Sequence, residues 1–347
     1  MSRKAAELLI DLAQNPQKLA DFKSNPDAVM DAAGLPSEDK DVLASGDLER
    51  VWAHFRPHQY QKDTHTHWYG PRPRPPLGPD PGERAQAVGG TGSLCIVGTG
   101  YRLASDVSAE ALAEMRACDQ LFHLVLDSAT SLWIESLNPS AESLQEAYVE
   151  GRPRDQIYEE MVERILAAVR RGLRVCVAFY GHPGVFGQPG HEAVRRARSE
   201  GHAARMLPGI SVIDSLFADL GVDPAQDGCQ IFDATDFLIH RRAFDADSAL
   251  VLLQAGSIAV SVCRAEGDSN VDGLKVLAEV LSESHPADHQ VIVYRASPFP
   301  ICEPILEKVT LEGLSGAGIP TLSTLFVPPA KSRPEDRVML DRLGLSR

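Results

Sequence analysis

The segment "FYGHPGVF", residues 179–186, places polar side chains directly after an apolar run that is typical of a buried strand. Tyr180 supplies a phenol and His182 an imidazole, and two glycines, Gly181 and Gly184, accompany them. In sheets whose strands alternate with helices, ligands bind at the carboxyl ends of the strands. Glycine at that edge lets the backbone approach another group closely. The segment therefore predicts a ligand-binding loop.

A second group of polar residues lies in "YVEGRPRDQIY", residues 148–158. Arg154 and Tyr158 are four residues apart at the start of a predicted helix, so they share one helix face. Tyr148 precedes Arg154 by six residues, in the approaching loop. The same spacing also fits an ordinary surface pair of arginine and tyrosine, so the spacing alone does not define a site.

The elements that must position these residues are strands that alternate with helices from about residue 92 onward. "SLCIVGTG", "LFHLVLD" and "RVCVAFYGHPG" are predicted strands. "SAEALAEMRAC", capped by Ser108, and "RDQIYEEMVERILAAVRRG" are predicted helices. Further strands are predicted in "ALVLLQAG", "HQVIVYRAS" and "TLSTLFVPP". The pattern indicates an α/β protein whose sheet edge carries several glycine-containing loops.

Composition divides the chain into four parts. Residues 1–56 have the pattern of short helices, in which Asn15-Pro16 and Asn25-Pro26 each place a capping side chain before a proline. Residues 57–91 are rich in proline and glycine and predict an extended linker. Residues 92–330 carry the strands and helices, and residues 331–347 form a short charged tail. Because the helical part has only a small core, we expect it to dock on a larger domain.

Charge and hydropathy argue against several classes of protein. The chain has 347 residues and a net charge of −14, which argues against nucleic acid or an anionic membrane as a partner. No apolar run reaches the roughly 20 residues of a membrane span, and the amino-terminal segment lacks the apolar core of a signal peptide. We therefore expect a cytoplasmic protein.

Histidines and cysteines raise the question of a metal site. The histidines at and after the end of the helical part have no accompanying arrangement of cysteines or carboxylates, which favours a solvated arm. The cysteines have no close pair in sequence and mostly occupy apolar runs, so we expect buried thiols, no disulfide and no zinc site. These residues are His54, His58, His65 and His67, and Cys95, Cys118, Cys176, Cys229, Cys263 and Cys302.

The glycine pair Gly98-Thr99-Gly100 raises one alternative, a nicotinamide-dependent enzyme. The pair lacks the third glycine of a dinucleotide-binding fingerprint, and Tyr101-Arg102 is a poor start for a helix. Asp127 is the candidate for the acidic residue that binds a ribose in such enzymes. The missing glycine makes this interpretation the weaker one.

A series of motifs, taken in order, resembles one family. "VGTG", "DSAT", "YGHPGVF", "MLPGIS", "LLQAG" and "TLSTLF" follow one another as in the tetrapyrrole-methylase class of S-adenosylmethionine-dependent methyltransferases. Within that class the chain most closely resembles the borosin α-N-methyltransferases, which methylate backbone amides of a precursor peptide. This resemblance runs from about Ser93 to Pro329. The segment "NPDAVMDAAGLPSEDKDVLASGDLERV" also resembles the helical binding domain of bacterial borosin precursors.

The resemblance implies a class III methyltransferase fold of two α/β subdomains, preceded here by a small all-α domain. It implies S-adenosylmethionine as the cofactor, S-adenosylhomocysteine as the product, and no metal. Core packing would account for Val185 and Phe186 equally well, and solvent exposure for Ser323. The cofactor-binding residues implied by position are Gly98, Gly100, Thr130, Tyr180, His182, Val185, Phe186, Ser211, Val212, Gln254, Ala255, Ser323 and Thr324.

A catalytic set follows from the resemblance together with the chemistry of an amide. An amide nitrogen is a poor nucleophile because its lone pair is delocalised into the carbonyl. Methylation therefore needs a base near the N–H and a donor at the carbonyl oxygen. Arg154 matches the donor, Tyr158 and Tyr148 match residues that position or deprotonate the amide, and Tyr180 would serve both cofactor and substrate. Which tyrosine is the base stays open, because a phenol near pKa 10 needs a lowered pKa for that role.

The substrate and the partners stay open at several points. A precursor peptide supplied in trans is favoured over the chain's own "QYQKDTHTHWYG", whose Lys, Asp and His are unlike the apolar, β-branched cores typical of the family. A homodimer is expected. The alternative functions are a small-molecule methyltransferase acting on a tetrapyrrole, and a non-catalytic relative in which residues 1–56 occupy the peptide site.

Overall fold

The computed structural model describes residues 2–56, 62–63, 92–148, 152–259, 264–265, 271–320 and 322–345. These residues form two compact units. The first unit contains the described residues of 2–220 together with 264–265 and 296–305, and the second contains 221–259, 271–295 and 306–345. Of the helices described, none has both the length and the apolar composition that crossing a membrane requires.

The described elements run as follows. The helices are α1 (Arg3–Gln14), α2 (Pro16–Ser24), α3 (Pro26–Ala32), α4 (Ser37–Ser45), α5 (Leu48–Phe55), α6 (Ala109–Ala117), α7 (Ser128–Leu137), α8 (Arg154–Arg170), α9 (Gln188–Ser199), α10 (Val212–Leu220), α11 (Ala234–Ile239), α12 (Val271–Ser282) and α13 (Arg337–Leu343). The strands are β1 (Lys62–Asp63), β2 (Ser93–Gly98), β3 (Gln120–Leu124), β4 (Glu142–Ser143), β5 (Arg174–Phe179), β6 (Ala203–Met206), β7 (Cys229–Asp233), β8 (Ala249–Leu253), β9 (Arg264–Ala265), β10 (Gln290–Arg295), β11 (Ile305–Thr310) and β12 (Thr324–Val327).

Side-chain caps separate the first three helices. The side chains of Asn15 and Asn25 accept hydrogen bonds of 3.2 Å from the backbone amides of Lys18 and Ala28, at the starts of α2 and α3. A proline follows each asparagine in the first turn, where a backbone amide has no intrahelical partner to lose. The caps predicted from the sequence are thus confirmed.

A buried contact between a histidine and a carboxylate joins α4 to α5. His54 Nε2 lies 2.6 Å from Asp39 Oδ1, and the Asp39 side chain is only 4% exposed. The Ser2 amide donates to the same carboxylate at 3.2 Å. Burial alone would raise the pKa of Asp39, but hydrogen bonds from Ser2 and His54 lower it below its ordinary value. The His54 side chain therefore has its hydrogen-bond partner within the helical bundle.

The sheet of the first unit consists of five parallel strands in the order β4-β3-β5-β2-β6. Parallel strands bring their carboxyl ends to one edge, so the loops after β2, β3 and β5 are neighbours there. One apolar core lies between this sheet and helices α8 and α9, and it contains Ile96, Val177 and Ile165, all fully buried. The sheet edge expected from the sequence is therefore present.

One local expectation at this edge differs from the structure. The apolar run "LFHLVLD" predicts a strand as far as Asp127, but β3 ends at Leu124. Asp127 instead precedes α7 as its capping residue, and Thr130 lies in the first turn of that helix. An apolar run before Asp-Ser-Ala-Thr fits both a strand end and a helix start, and the capping hydrogen bond selects the helix.

The second unit has a sheet of mixed direction, in the order β11-β10-β12-β8-β7. Strand β7 is parallel to β8, whereas β12 runs antiparallel to both β8 and β10. Its core packs α11 and α12 on the sheet, with Phe237, Leu277 and Leu325 buried. The predicted strands β8, β10 and β12 are present, while β7, β11 and both helices had not been predicted.

The amino-terminal helices pack against other elements of the first unit, to which they belong. Helix α1 packs against α7. The ring centroids of Trp52 and Phe55 lie 6.1 and 5.5 Å from that of Phe299. A separate pair of short strands joins the linker to this unit, because β1 pairs antiparallel with β9 through Lys62 and Ala265.

Candidate functional site

Three glycine-containing loops meet at the carboxyl edge of the first sheet. A Cβ atom added to Gly98 would lie 2.4 Å from the Gly181 carbonyl oxygen and 2.8 Å from the Gly209 Cα. Gly100 and Gly181 form an isolated antiparallel bridge, and both have positive φ, +77° and +64°. The main reason for the glycines of "GTG", "YGHPG" and "LPGIS" is thus that the backbones of the three loops contact one another.

A pocket opens beside this glycine junction, within the first unit. It takes its lining from the loop that follows β2, from the residues between β3 and α7, and from Tyr180 and Pro298. Two predicted cofactor residues besides Tyr180 line it, namely Gly100 and Thr130. We call this space the Asp127 pocket, after the one carboxylate in its lining.

Asp127 is buried, with 3% of its surface exposed. Its Oδ1 accepts the backbone amide of Thr130 at 2.8 Å, and its Oδ2 accepts the Thr130 hydroxyl at 2.7 Å. Burial raises the pKa of Asp127, although the two hydrogen bonds from Thr130 oppose the rise. The carboxylate therefore caps α7 and also presents a group with a raised pKa to the pocket.

Two phenols belong to the same pocket, those of Tyr101 and Tyr180. Burial raises the pKa of Tyr101, and the proximity of Tyr180 and Asp127 raises it further. The Tyr101 phenol therefore stays protonated. Its position is fixed by Asp106, whose Oδ2 accepts the backbone amides of Tyr101 and Arg102 at 3.2 and 2.9 Å.

The "YGHPGVF" loop folds back on itself. His182 Nδ1 accepts the backbone amide of Gly184 at 2.9 Å, and the His182 carbonyl accepts the amide of Val185 at the same distance. Phe186 has a positive φ of 56°, which is rare for a side chain of its size. Val185 and Phe186 are both half-buried. The His182 ring therefore helps to shape the loop.

The predicted residues Ser211 and Val212 lie at the start of α10. The Ser211 hydroxyl accepts the amide of Ile213 at 3.2 Å and donates to Asp214 Oδ2 at 2.7 Å. The Ser211 amide also donates to Asp214 Oδ2, at 2.6 Å. Ser211 is therefore the helix cap, and its polar atoms already have partners within the chain.

The catalytic tyrosines predicted from the sequence both belong to the apolar core of the first unit. Tyr158, 9% exposed, belongs to the apolar cluster under α8, and the half-buried Tyr148 packs against that cluster. Helix α8 begins at Arg154, as predicted, but the Arg154 side chain lies outside the described residues. The structure thus brings Tyr148 and Tyr158 to one cluster, while Tyr180 lines the Asp127 pocket.

The remaining predicted cofactor residues are neighbours in the second unit. The Ala255 amide donates to the Ser323 carbonyl at 3.0 Å, and Thr324 begins β12. Gln254 has a positive φ of 60°, at the turn after β8. Within the described part of the chain, the buried Gln254 Oε1 and Ser323 Oγ have no hydrogen-bond partner. Burying such atoms is costly, so they are available for a ligand.

Within the described ranges, no group of three or more His, Cys, Asp or Glu side chains is arranged to hold a metal ion. The described cysteines are free thiols. His58, His65, His67 and Cys263 lie outside the described residues.

Sequence reasoning missed the contributions of Tyr101 and Pro298 to the pocket, and it considered Asp127 only as a ribose ligand. Pro298 lies 194 residues after Ala104, and only folding brings the two to one pocket. The signal for Asp127 was present, because Asp-x-x-Thr is a capping pattern that places both side chains at a helix start.

Comparison with known proteins supplies independent evidence. Residues 93–297 match the family of tetrapyrrole (corrin/porphyrin) methylases. The chain is 37% identical over 258 residues to the methyltransferase and precursor of the ribosomally synthesized cyclic gymnopeptides from Gymnopus fusipes, covering 73% of this chain and 61% of the relative. It is 38% identical over 259 residues to the corresponding omphalotin A precursor from Omphalotus olearius, covering 73% and 62%. The chain thus spans about three-fifths of the length of these relatives.

A solved structure has the same fold. The uroporphyrin-III-C-methyltransferase from Thermus thermophilus matches with a TM-score of 0.50 and 20% identity, over 72% of this chain and 99% of that one. This likeness concerns the fold alone. It confirms the predicted class, an α/β methylase fold preceded by helices.

Proposed function

Because the chain belongs to the tetrapyrrole (corrin/porphyrin) methylase family, we propose that it transfers methyl groups from S-adenosylmethionine to backbone amide nitrogens of a ribosomally made peptide. The observation that carries the proposal is the similarity to relatives whose names combine a methyltransferase with a peptide precursor. We propose that the peptide is supplied in trans, because Lys62, Asp63 and the histidines of the chain's own segment 59–70 are unlike the apolar, β-branched cores typical of the family. The chain's own segment 59–70 is the second candidate substrate.

The residues present fit S-adenosylmethionine, a ligand rich in polar groups. Gln254 Oε1 and Ser323 Oγ are buried without a partner among the described residues, and both belong to the set that the family resemblance assigns to the cofactor. Gly100, Thr130 and Tyr180 line the Asp127 pocket of the first unit. We propose these residues as cofactor ligands, with His182, Val185 and Phe186 from the loop after β5. Gly98, Ser211, Val212, Ala255 and Thr324 are proposed to contribute mainly through the backbone.

The chain's own residues must make an amide nitrogen reactive. When bound, S-adenosylmethionine supplies an activated methyl group. The peptide N–H must be turned toward that methyl, and holding the two in line accounts for much of the rate. We propose that Arg154 donates to the amide carbonyl oxygen, where negative charge develops as the nitrogen loses its proton. Tyr148 and Tyr158 are proposed to orient or deprotonate the nitrogen.

The pKa shifts in the pocket limit the roles that its two phenols can have in catalysis. The raised pKa of Tyr101 makes it unsuited as a base, so we assign it a donor role toward a polar group of the ligand. Asp127, whose pKa burial raises, lines the same pocket as Tyr180. No metal has a part in this scheme.

Two properties complete the proposal. We place the protein in the cytoplasm, and the free thiols of the described cysteines support a reducing compartment. We also propose a homodimer, as the family resemblance predicts.

The test has two stages. Calorimetric titration with S-adenosylhomocysteine should show binding without added metal, and His65→Ala should bind equally well. Mass spectrometry of a candidate peptide incubated with the enzyme and S-adenosylmethionine should then show added methyl groups, located on backbone nitrogens by fragmentation. Methylation of side chains or of a tetrapyrrole, with backbone amides untouched, would exclude the proposed substrate class.

A further inference from the structure

Arg102 is the one positively charged residue among the described residues that line the Asp127 pocket. Its Nε donates to Asp106 Oδ1 at 2.9 Å, and its backbone amide donates to Asp106 Oδ2, also at 2.9 Å. The Arg102 side chain is 62% exposed, whereas that of Asp106 is only 1% exposed. A buried carboxylate thus holds an arginine that is otherwise open to solvent, and the proposed function gives this arginine no role.

The contact with Asp106 uses only part of the Arg102 guanidinium. Arg174 makes the fuller contact, in which Nε and Nη2 bind the two oxygens of Asp119 at 3.2 and 2.9 Å. Both lone pairs of Asp106 Oδ2 are instead taken by the backbone amides of Tyr101 and Arg102, so this oxygen cannot accept a second guanidinium nitrogen. Within the described part of the chain, Nη1 and Nη2 of Arg102 have no hydrogen-bond partner.

The backbone that carries Arg102 is held on both sides. Gly100 lies against Asp106 so closely that an added Cβ would be 2.0 Å from the Asp106 Cβ. On the other side, Leu103 is 1% exposed, and its amide donates to the Pro298 carbonyl at 2.9 Å. Binding a ligand through Arg102 therefore costs the freedom of one side chain and requires no ordering of the loop.

The free end of the guanidinium is suited to a carboxylate. Nη1 and Nη2 present N–H donors in one plane, in a spacing that matches the two oxygens of that group. The backbone amides at Asp106 take part of the charge of its carboxylate, so Arg102 keeps an attraction for a second anion. Phosphate has a similar geometry, but neither S-adenosylmethionine nor an unmodified peptide contains phosphate.

Resting on the proposed function, we infer that Arg102 binds a carboxylate that a ligand of the reaction brings into the Asp127 pocket. The methionine part of S-adenosylmethionine ends in such a group. This is the expected source, because Gly100, Thr130 and Tyr180 of the same lining are proposed to bind the cofactor. The other source is the peptide, through an acidic side chain or its carboxyl terminus.

The experiment compares ligands that differ only in a carboxylate. The cofactor probes are S-adenosylhomocysteine and its decarboxylated analogue, each titrated calorimetrically into the full-length protein. The peptide probes are short peptides of valine, isoleucine, alanine and glycine that contain one Asp or one Asn, with a free or an amidated carboxyl terminus. Arg102→Met removes the charge and keeps an unbranched side chain, and Arg116→Met, at an exposed position of α6, is the matched control.

In Arg102→Met, the affinity for S-adenosylhomocysteine should fall about tenfold or more, because hydrogen bonds to a charged group are lost. The affinity for the decarboxylated analogue should change less than about twofold, and Arg116→Met should match wild type with both ligands. If the affinity for S-adenosylhomocysteine is unchanged, but kcat/KM falls about tenfold only for a peptide that carries the carboxylate, the inference holds with the peptide as the source.

Equal losses for a ligand and its uncharged counterpart, or no loss with any ligand, would overturn the inference. Failure of the proposed function is seen separately, because wild type would then neither bind S-adenosylhomocysteine nor methylate a peptide. In that event, nitrogen-15 NMR of arginine-labelled protein gives the answer with acetate as the probe. The Nε signal that is missing from Arg102→Met should shift as acetate is added, and a signal that does not move would overturn the inference.

Discussion

Gly181 and Gly100 exchange backbone hydrogen bonds across the edge of the first sheet, with the Gly181 amide donating to the Gly100 carbonyl at 2.7 Å and the Gly100 amide donating back at 3.3 Å. The bridge joins the loop after β2 to the loop after β5. It positions Tyr180, the residue directly before Gly181, beside Tyr101, the residue directly after Gly100, and both line the Asp127 pocket.

The glycine junction should not tolerate a side chain. In Gly98→Ala the added Cβ would lie 2.4 Å from the Gly181 carbonyl oxygen, which is backbone and cannot turn away. We expect a loss of about 3 kcal/mol in the free energy of unfolding and loss of S-adenosylhomocysteine binding. Thermal denaturation and calorimetry measure the two effects. The matched control is Gly316→Ala, which has nothing within 4 Å of the added atom and should be neutral.

Removing the Arg154 side chain should slow methyl transfer but leave the affinity for the cofactor unchanged. Arg154→Ala is expected to lower the rate of methyl transfer on the order of 10²–10³-fold, because a donor to the developing oxyanion is lost. Affinity for S-adenosylhomocysteine should stay within about twofold, since no role in cofactor binding is assigned to this residue. The matched control is Arg152→Ala, two residues earlier, whose side chain is paired with Glu160. Equal rates in both variants would place the donor elsewhere.

Ser323→Ala should weaken cofactor binding without weakening the fold. The Ser323 hydroxyl is buried and has no partner within the described residues, so its removal relieves a cost of about 1 kcal/mol in the empty protein. Loss of a hydrogen bond to the ligand should lower the affinity for S-adenosylhomocysteine roughly tenfold. Ser282→Ala, at an exposed position of α12, should change neither quantity. A destabilised Ser323→Ala protein with unchanged affinity would show that the hydroxyl is structural.

Stability should fall in mild acid because of His123. This histidine is fully buried on β3, neither ring nitrogen has a hydrogen-bond partner among the described residues, and burial lowers its pKa to about 4. Above its unfolded pKa of about 6.5 the ring is neutral in both states and adds no pH dependence. Between pH 6.5 and about 4 the unfolded chain binds a proton that the folded chain does not bind. The loss should reach about 3 kcal/mol at the acid end.

Urea denaturation at several pH values measures this loss. Glu135 Oε1, 3.8 Å from His123 Nε2, is the ionisable group that faces the ring, and its charge should moderate the effect. His123→Leu should flatten the pH dependence in that window, whereas the exposed His240→Gln should leave it unchanged. An unaltered slope in His123→Leu would assign the acid sensitivity to other groups.

Short sequence patterns predicted those elements whose formation depends on interactions between neighbouring residues. Asn15 and Asn25 before prolines, Ser108 before a helix, and the apolar strands β2 and β5 carry their signals within a few residues, and the structure contains all of them. Strand β11 was not predicted because all six of its residues are exposed or half-buried, so it lacks an apolar run.

The pocket depends on contacts between residues that are far apart in the chain, and short sequence patterns do not predict such contacts. Pro298 reaches the pocket from a segment that returns to the first unit after the second unit has begun. Ser211 matched a ligand-binding motif, and in the structure it caps α10; one serine pattern fits both uses. The Gly98 and Gly181 signals were read correctly as close approach, although the partner is another glycine loop.

The placement of Phe299 has a consequence for biosynthesis. Trp52 and Phe55 are made early, but the ring that covers them is encoded 244 residues after Phe55. At translation rates of 5–20 residues per second, this partner follows after about 10–50 s. Throughout that interval the nascent helices lack the ring that lies against these two aromatic side chains. The emerging chain is therefore a natural client for ribosome-associated chaperones until residues 296–305 have been synthesised.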